Sequence, residues 1–84
     1  MANDFLPEPA RARQWRERLG LSRAALGKRI GYSVEAIADF ELGRHRSSKA
    51  QISERSWTTY RLACAAVAAG FAFDWGPVTI QVSD

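Results

Sequence analysis

The 84-residue chain is below the usual size of a multidomain protein, so we expect one compact domain with a short tail. Its 12 basic and 9 acidic side chains give a formal net charge of +3, which favours a polyanionic partner over an acidic protein or an apolar ligand. A single cysteine and a single histidine exclude an intramolecular disulfide framework and a four-ligand zinc site, so we expect neither a metal nor a cofactor.

The N-terminal stretch has no basic segment followed by an apolar run, so it does not read as a secretory signal peptide. We expect residues 1–8 to form a flexible arm that precedes the main domain at residues 9–70. The longest apolar run, at residues 62–69, is far shorter than a bilayer span. These features predict a cytoplasmic protein without membrane contact.

The first predicted helix runs from about residue 9 to residue 19, with Pro9 in its first turn and Gly20 at its end. Its apolar residues Ala12, Trp15 and Leu19 recur at intervals of three or four residues. This spacing predicts that the three side chains form one buried stripe.

Two short helices are predicted next, each with a serine at its start and a glycine at its end. They lie at residues 22–30 and 34–42, with Ser22 and Ser33 as N-caps and with Gly31 and Gly43 as stops. The intervening turn is too short for antiparallel packing. The pair therefore matches helix-turn-helix geometry, in which the second helix enters the major groove of DNA.

A basic segment follows the third helix and leads into a long fourth helix. Residues 43–51 contain Arg44, His45, Arg46 and Lys49 but no acidic residue, and form the densest positive stretch of the chain. Ser53 can cap a helix that ends near Gly70. We expect Arg44, Arg46 and Lys49 to contact DNA phosphates, and the alternative is an ordinary solvated loop.

The last residues, 71–84, change to the two-residue alternation of a β-strand. The alternating side chains are Phe71, Phe73, Trp75, Val78, Ile80 and Val82. Because we predict no other strand in the chain, this tail is expected to pair with the same segment of a second subunit and to form a dimer contact. The alternative is a tail that packs on its own fourth helix. The expected fold class is mainly α: a compact helical bundle with a helix-turn-helix and a short C-terminal strand.

A set of residues resembles the XRE-like, or lambda Cro/repressor-like, helix-turn-helix domains. The set comprises Trp15-Arg16, Gly20-Leu21-Ser22, Leu26, Gly31, Ser33, Ile37, Glu41 and Gly43. The resemblance covers roughly residues 10–43, and the order of the elements is more specific than any single position. The long fourth helix and the tail depart from the family pattern.

The resemblance implies a role for several residues. The start of the second helix, Ser22 and Arg23, touches the DNA backbone in the family, and we place Ser33 on phosphate as well. Arg16 and Glu41 occupy the positions of a structural ion pair. The groove-facing positions of the recognition helix are Val34, Glu35, Ala38 and Asp39.

The predicted recognition helix is unusual because it carries three carboxylates and no basic residue. Unpaired acids beside phosphates are repelled, so weak affinity or an unusual binding mode is expected. Sequence readout is still available, since a carboxylate accepts a hydrogen bond from cytosine N4 and Val34 can pack on a thymine methyl group.

Taken together, the residues and the resemblance predict a transcriptional regulator, a repressor or an activator, that binds double-stranded DNA as a homodimer. We expect it to be bacterial or phage-encoded and associated with the nucleoid. The alternative is a protein-interaction module, such as an antitoxin or an anti-regulator, that uses the acidic helix and the apolar tail as an interface. An enzyme is disfavoured because the sequence shows no catalytic triad or carboxylate pair, and the only histidine, His45, lies in the basic segment.

Overall fold

The computed structural model describes residues 6–72, 75 and 79–80. The elements in chain order are α1 (Glu8–Arg18), α2 (Arg23–Ile30), α3 (Val34–Leu42), α4 (Glu54–Ala69), β1 (Phe71–Ala72) and β2 (Thr79–Ile80). The mainly α-helical class predicted from the sequence is confirmed. The chain divides into two units, Met1–Ser53 and Glu54–Asp84, and each is described by itself below.

Helix α1 begins after Pro7, with Pro9 in the first turn where a missing N–H costs no helical hydrogen bond. It packs on α3. Leu19, predicted to be buried, is exposed, because the helix ends at Arg18 and Leu19 is already its C-cap. The buried side chain of the last turn is instead that of Arg16.

The predicted caps of α2 and α3 are confirmed. The hydroxyl oxygen of Ser22 accepts a hydrogen bond from the N–H of Ala25, and that of Ser33 accepts one from the N–H of Ala36, both at 3.0 Å. Gly31 and Gly43 end the two helices in the left-handed region, with φ of 78° and 91°. Residues with a Cβ rarely adopt this conformation, so glycine sets both helix ends.

The contact between α2 and α3 centres on Gly27. The carbonyl oxygen of Gly27 accepts hydrogen bonds from the N–H groups of Gly31 and Tyr32, at 2.8 and 3.1 Å. A Cβ at position 27 would collide with the carbonyl oxygen of Tyr32 and would touch Ile37 of α3. Leu26 and Ile37 are fully buried in this unit. The turn is thus folded onto α2 so closely that only glycine fits.

The second unit contains α4 and the two short strands. Trp57 and Tyr60 of α4 are buried and pack edge to face, with ring centroids 6.2 Å apart. After Gly70, which has a φ of 75°, β1 lies against α4. Within the part of the chain that the structure describes, no helix is long and apolar enough to cross a membrane.

The expectation of a single strand without a partner in its own chain is wrong. Strand β1 pairs with β2 in antiparallel register, Phe71 opposite Ile80 and Ala72 opposite Thr79. Phe71 and Ile80 of the alternating set therefore belong to two strands that pair with each other within the chain. Three further residues of the predicted dimer contact, Phe73, Val78 and Val82, lie outside the described residues.

Candidate nucleic-acid interface

The C-terminal turn of α3 is held by a buried ion pair between Arg16 of α1 and Glu41. Arg16 donates from Nε to one carboxylate oxygen at 2.6 Å and from Nη2 to the other at 3.0 Å. The exposed fractions of the two side chains are only 9% and 2%. Because this contact joins two helices that are far apart in sequence, it fixes the position of α3 relative to α1.

Two further contacts extend this pair to the start of α2. Arg23 donates from Nε to Oε1 of Glu41 at 3.0 Å, and Arg16 donates from Nη1 to the carbonyl oxygen of Leu21 at 2.9 Å. Burial raises the pKa of the Glu41 carboxyl, but the hydrogen bonds from Arg16 and Arg23 outweigh it, and the net pKa is lowered. Glu41 is thus ionised at neutral pH and joins three helices.

The outer side of α3 carries a second, more exposed ion pair, between Asp39 and Arg46. Arg46 donates from Nε to Oδ1 of Asp39 at 2.7 Å and from Nη2 to the backbone carbonyl of Glu35 at 3.3 Å. The hydrogen bond from the Arg46 side chain lowers the pKa of Asp39. Nδ1 of His45 lies 3.7 Å from Oδ2 of the same carboxylate.

The turn after Gly43 explains how Arg46 reaches α3. The N–H groups of Gly43 and Arg44 both donate to the carbonyl oxygen of Asp39, at 2.8 and 3.3 Å, so the chain folds back at once. The loop that follows is closed by a hydrogen bond from the N–H of His45 to the carbonyl of Ala50. The basic segment is therefore an ordered loop whose first turn lies beside α3.

The four positions predicted to face the groove share one side of α3 but differ in exposure. Val34 and Glu35 are exposed, Ala38 is half-buried, and Asp39 is partly covered by Arg46. Glu35 uses its backbone carbonyl to accept from Arg46, while its carboxylate forms no ion pair with any described residue. The exposed face of α3 thus combines the apolar side chain of Val34 with one carboxylate, that of Glu35.

A sequence profile of the helix-turn-helix domain family matches residues 10–71 of the chain. The chain belongs to that family. No curated protein and no solved structure shows significant similarity to it. Membership of the helix-turn-helix family indicates a DNA-binding regulator, and the match is consistent with the XRE-like resemblance of the sequence.

The predicted phosphate-binding residues of this helix-turn-helix domain fall into two groups. Arg44 and Lys49 are exposed and form no ion pair within the described residues, and Ser22 and Ser33 are exposed at the starts of α2 and α3. Arg23 and Arg46, in contrast, are held by Glu41 and Asp39. Among the described residues no cluster of metal-ligating side chains occurs.

Sequence reasoning missed the contacts that neutralise the helix-turn-helix recognition helix. Two of its three carboxylates, Asp39 and Glu41, are bound by arginines from outside the helix. The repulsion expected from an unpaired acidic helix is thereby reduced. The signal for the outer pair was a left-handed glycine at the helix end followed three residues later by an arginine, which allows the side chain to return to the last turns of the helix.

Proposed function

We propose that this domain is a transcriptional regulator that recognises specific double-stranded DNA sequences with α3 in the major groove. The observation that supports this proposal is that arginines bind Asp39 and Glu41, which leaves Glu35 as the one carboxylate of α3 without an ion-pair partner among the described residues, beside the exposed Val34 and the half-buried Ala38. A surface of this kind can approach base edges without strong repulsion from the flanking phosphates.

Phosphate contacts are proposed on both sides of that face. Ser22 and Ser33 stand at the N-termini of α2 and α3, where backbone N–H groups and the helix dipole favour an anion. Arg44 and Lys49 supply positive charge beside the end of α3. Arg23 is placed at the start of α2 and can share its guanidinium between Glu41 and a phosphate, since its side chain is 39% exposed.

We further propose that the regulator acts as a homodimer on two half-sites, because two modest contacts then combine into tight binding. The support is the exposure of Phe71 and Trp75 in the second unit, the latter 89% exposed. Sedimentation of the wild type and of Trp75→Ser tests this contact. A dimer that becomes a monomer in the variant supports the proposal, and a variant of unchanged mass contradicts the assignment of Trp75.

The DNA-binding proposal is tested by titrating random and selected duplexes at several salt concentrations. Arg44→Ala should weaken binding to both duplexes about equally and reduce the logarithmic salt slope by about 1, because a phosphate contact carries no sequence information. Arg55→Ala provides the matched control, since it removes one exposed arginine from α4. The control should retain the wild-type slope.

Two results would overturn the proposal. If the wild type binds neither duplex even at low salt, DNA is not the partner, and a protein-interaction module becomes the favoured function. If it binds every duplex equally and selection from a random pool enriches no motif, binding is not sequence-specific. For a dimeric regulator we instead expect an enriched motif whose two halves lie about one helical turn of DNA apart.

A further inference from the structure

We infer that Arg46 is a specificity-determining residue that recognises a guanine from its place on the outer face of α3. The inference rests on the proposed DNA-binding function and names one base that the domain reads. It replaces the phosphate contact that the sequence analysis predicts for Arg46 with a contact to a base.

The first argument is the orientation of the guanidinium group. Its Nε and Nη2 atoms, which share one edge, donate to Asp39 and to the carbonyl of Glu35. These acceptors lie one turn apart on α3. The other edge, formed by Nη1 and the second hydrogen of Nη2, has no partner among the described residues, and the side chain is 49% exposed. That edge offers two parallel donors.

The second argument is the chemistry of the open edge. Guanine presents two neighbouring acceptors, O6 and N7, in the major groove, and a bidentate arginine is their commonest partner. No other base presents two acceptors there on one ring system. Because the planar guanidinium is already held by two contacts, less conformational entropy is lost when it meets the base.

The third argument separates a base from a phosphate. Asp39 lies 2.7 Å from Arg46 and is ionised, since its pKa is lowered, so the pair as a whole carries no net charge. A neutral pair attracts a phosphate weakly, and the carboxylate repels it. Hydrogen bonding to a base depends on geometry rather than net charge. Arg44 and Lys49, which lack such a partner among the described residues, are better suited to the phosphates.

The test is selection of bound sequences from a random duplex pool by the full chain and by three variants. Arg46→Ala removes the donors, Arg46→Gln keeps a polar side chain whose amide suits adenine rather than guanine, and Arg44→Ala is the matched control. We expect the wild-type motif to contain a guanine whose preference over other bases falls about tenfold or more in both Arg46 variants. The control should weaken binding and leave the motif unchanged.

A fourth variant, Asp39→Asn, tests whether the ion pair with Asp39 orients the guanidinium of Arg46. It should reduce the same guanine preference while binding to random DNA becomes stronger, because a carboxylate is removed from the interface. A purely structural role of the pair would not change the preferred base at one position. Circular dichroism of each variant establishes that the fold is retained.

Three results would overturn the inference. These are a guanine that persists in both Arg46 variants, a guanine that Arg46→Gln alone retains, and an Arg46→Ala variant whose only change is a salt slope reduced by about 1, as for a lost phosphate contact. The first two results would show that Arg46 does not form a bidentate contact with guanine. The third would assign Arg46 to the DNA phosphate backbone. In each case the wild-type motif still supports the proposed function. A wild type that enriches no motif overturns both.

Discussion

Helix α3 carries two carboxylates only two residues apart, and the structure uses them in opposite ways. Glu41 points inward, is 2% exposed and is bound by two arginines from α1 and α2. Asp39 lies at the outer side, is 19% exposed and is bound by one arginine from the following loop. The same chemistry thus anchors the helix at one position and shapes its outer surface at the other.

We infer from this difference that burial, rather than ion pairing itself, decides which role each carboxylate has. A buried carboxylate that loses its partner is left uncompensated in a medium that solvates it poorly, so the fold depends on that partner. A partly exposed one is solvated by water when its partner leaves. We therefore expect the inner pair to govern stability and the outer pair to govern recognition.

The largest effect is expected for Arg16→Ala. It leaves the buried Glu41 with only Arg23 as an ion-pair partner among the described residues, and should lower the free energy of unfolding by about 3 kcal/mol. Urea unfolding followed by tryptophan fluorescence measures the loss. Arg13→Ala is the control, because its ion pair with Glu17 on the same helix is exposed on both sides. It should cost at most about 0.5 kcal/mol. Equal losses in the two variants would contradict a special role for the inner pair.

A smaller effect is expected on acidification. The pKa of Glu41 is lowered by folding, so its contribution to stability is complete above its ordinary value of 4.5 and is lost as the pH falls through the folded value. Urea unfolding between pH 7 and pH 3 should therefore show a steeper loss for the wild type than for Glu41→Gln. Asp39→Asn should resemble the wild type more closely. If Glu41→Gln and the wild type lose stability in parallel, another carboxylate controls the acid transition.

The smallest effect on stability is expected for Arg46→Ala. Its guanidinium is half exposed and its partner Asp39 remains accessible to water, so the free energy of unfolding should stay within about 0.5 kcal/mol of the wild type. The same urea unfolding measures it. A loss approaching that of Arg16→Ala would remove the distinction between the two pairs, because Arg46 would then also act as an anchor of α3.

Much of the first unit could be predicted from the sequence because its helix ends are determined by the residues at those ends. Ser22 and Ser33 accept the hydrogen bonds expected of N-caps, and the glycines at 31 and 43 adopt the left-handed conformation expected of stops. Arg16 and Glu41 were assigned to one ion pair by their resemblance to family positions. The caps and stops do not depend on how distant segments pack, whereas the Arg16–Glu41 pair does and was identified only through the family resemblance.

The contacts that escaped prediction depend on tertiary geometry. Nothing in the spacing indicates that Arg23 joins Glu41, because the two are brought together only once α2 and α3 have packed. The pairing of Phe71 with Ile80 was missed for a related reason. Alternation identifies residues that suit a strand, but it does not show whether a run of such residues continues or turns back on itself.

The close contact at Gly27 has a consequence for redesign. Since the carbonyl oxygen of Tyr32 occupies the space that a side chain at position 27 would need, a substitution there would push the turn away from α2 and disturb the packing of α3. The exposed positions Val34 and Glu35 take no part in that contact. They can be randomised in a library for new operator specificities, whereas a library that varies Gly27 would fill with misfolded members.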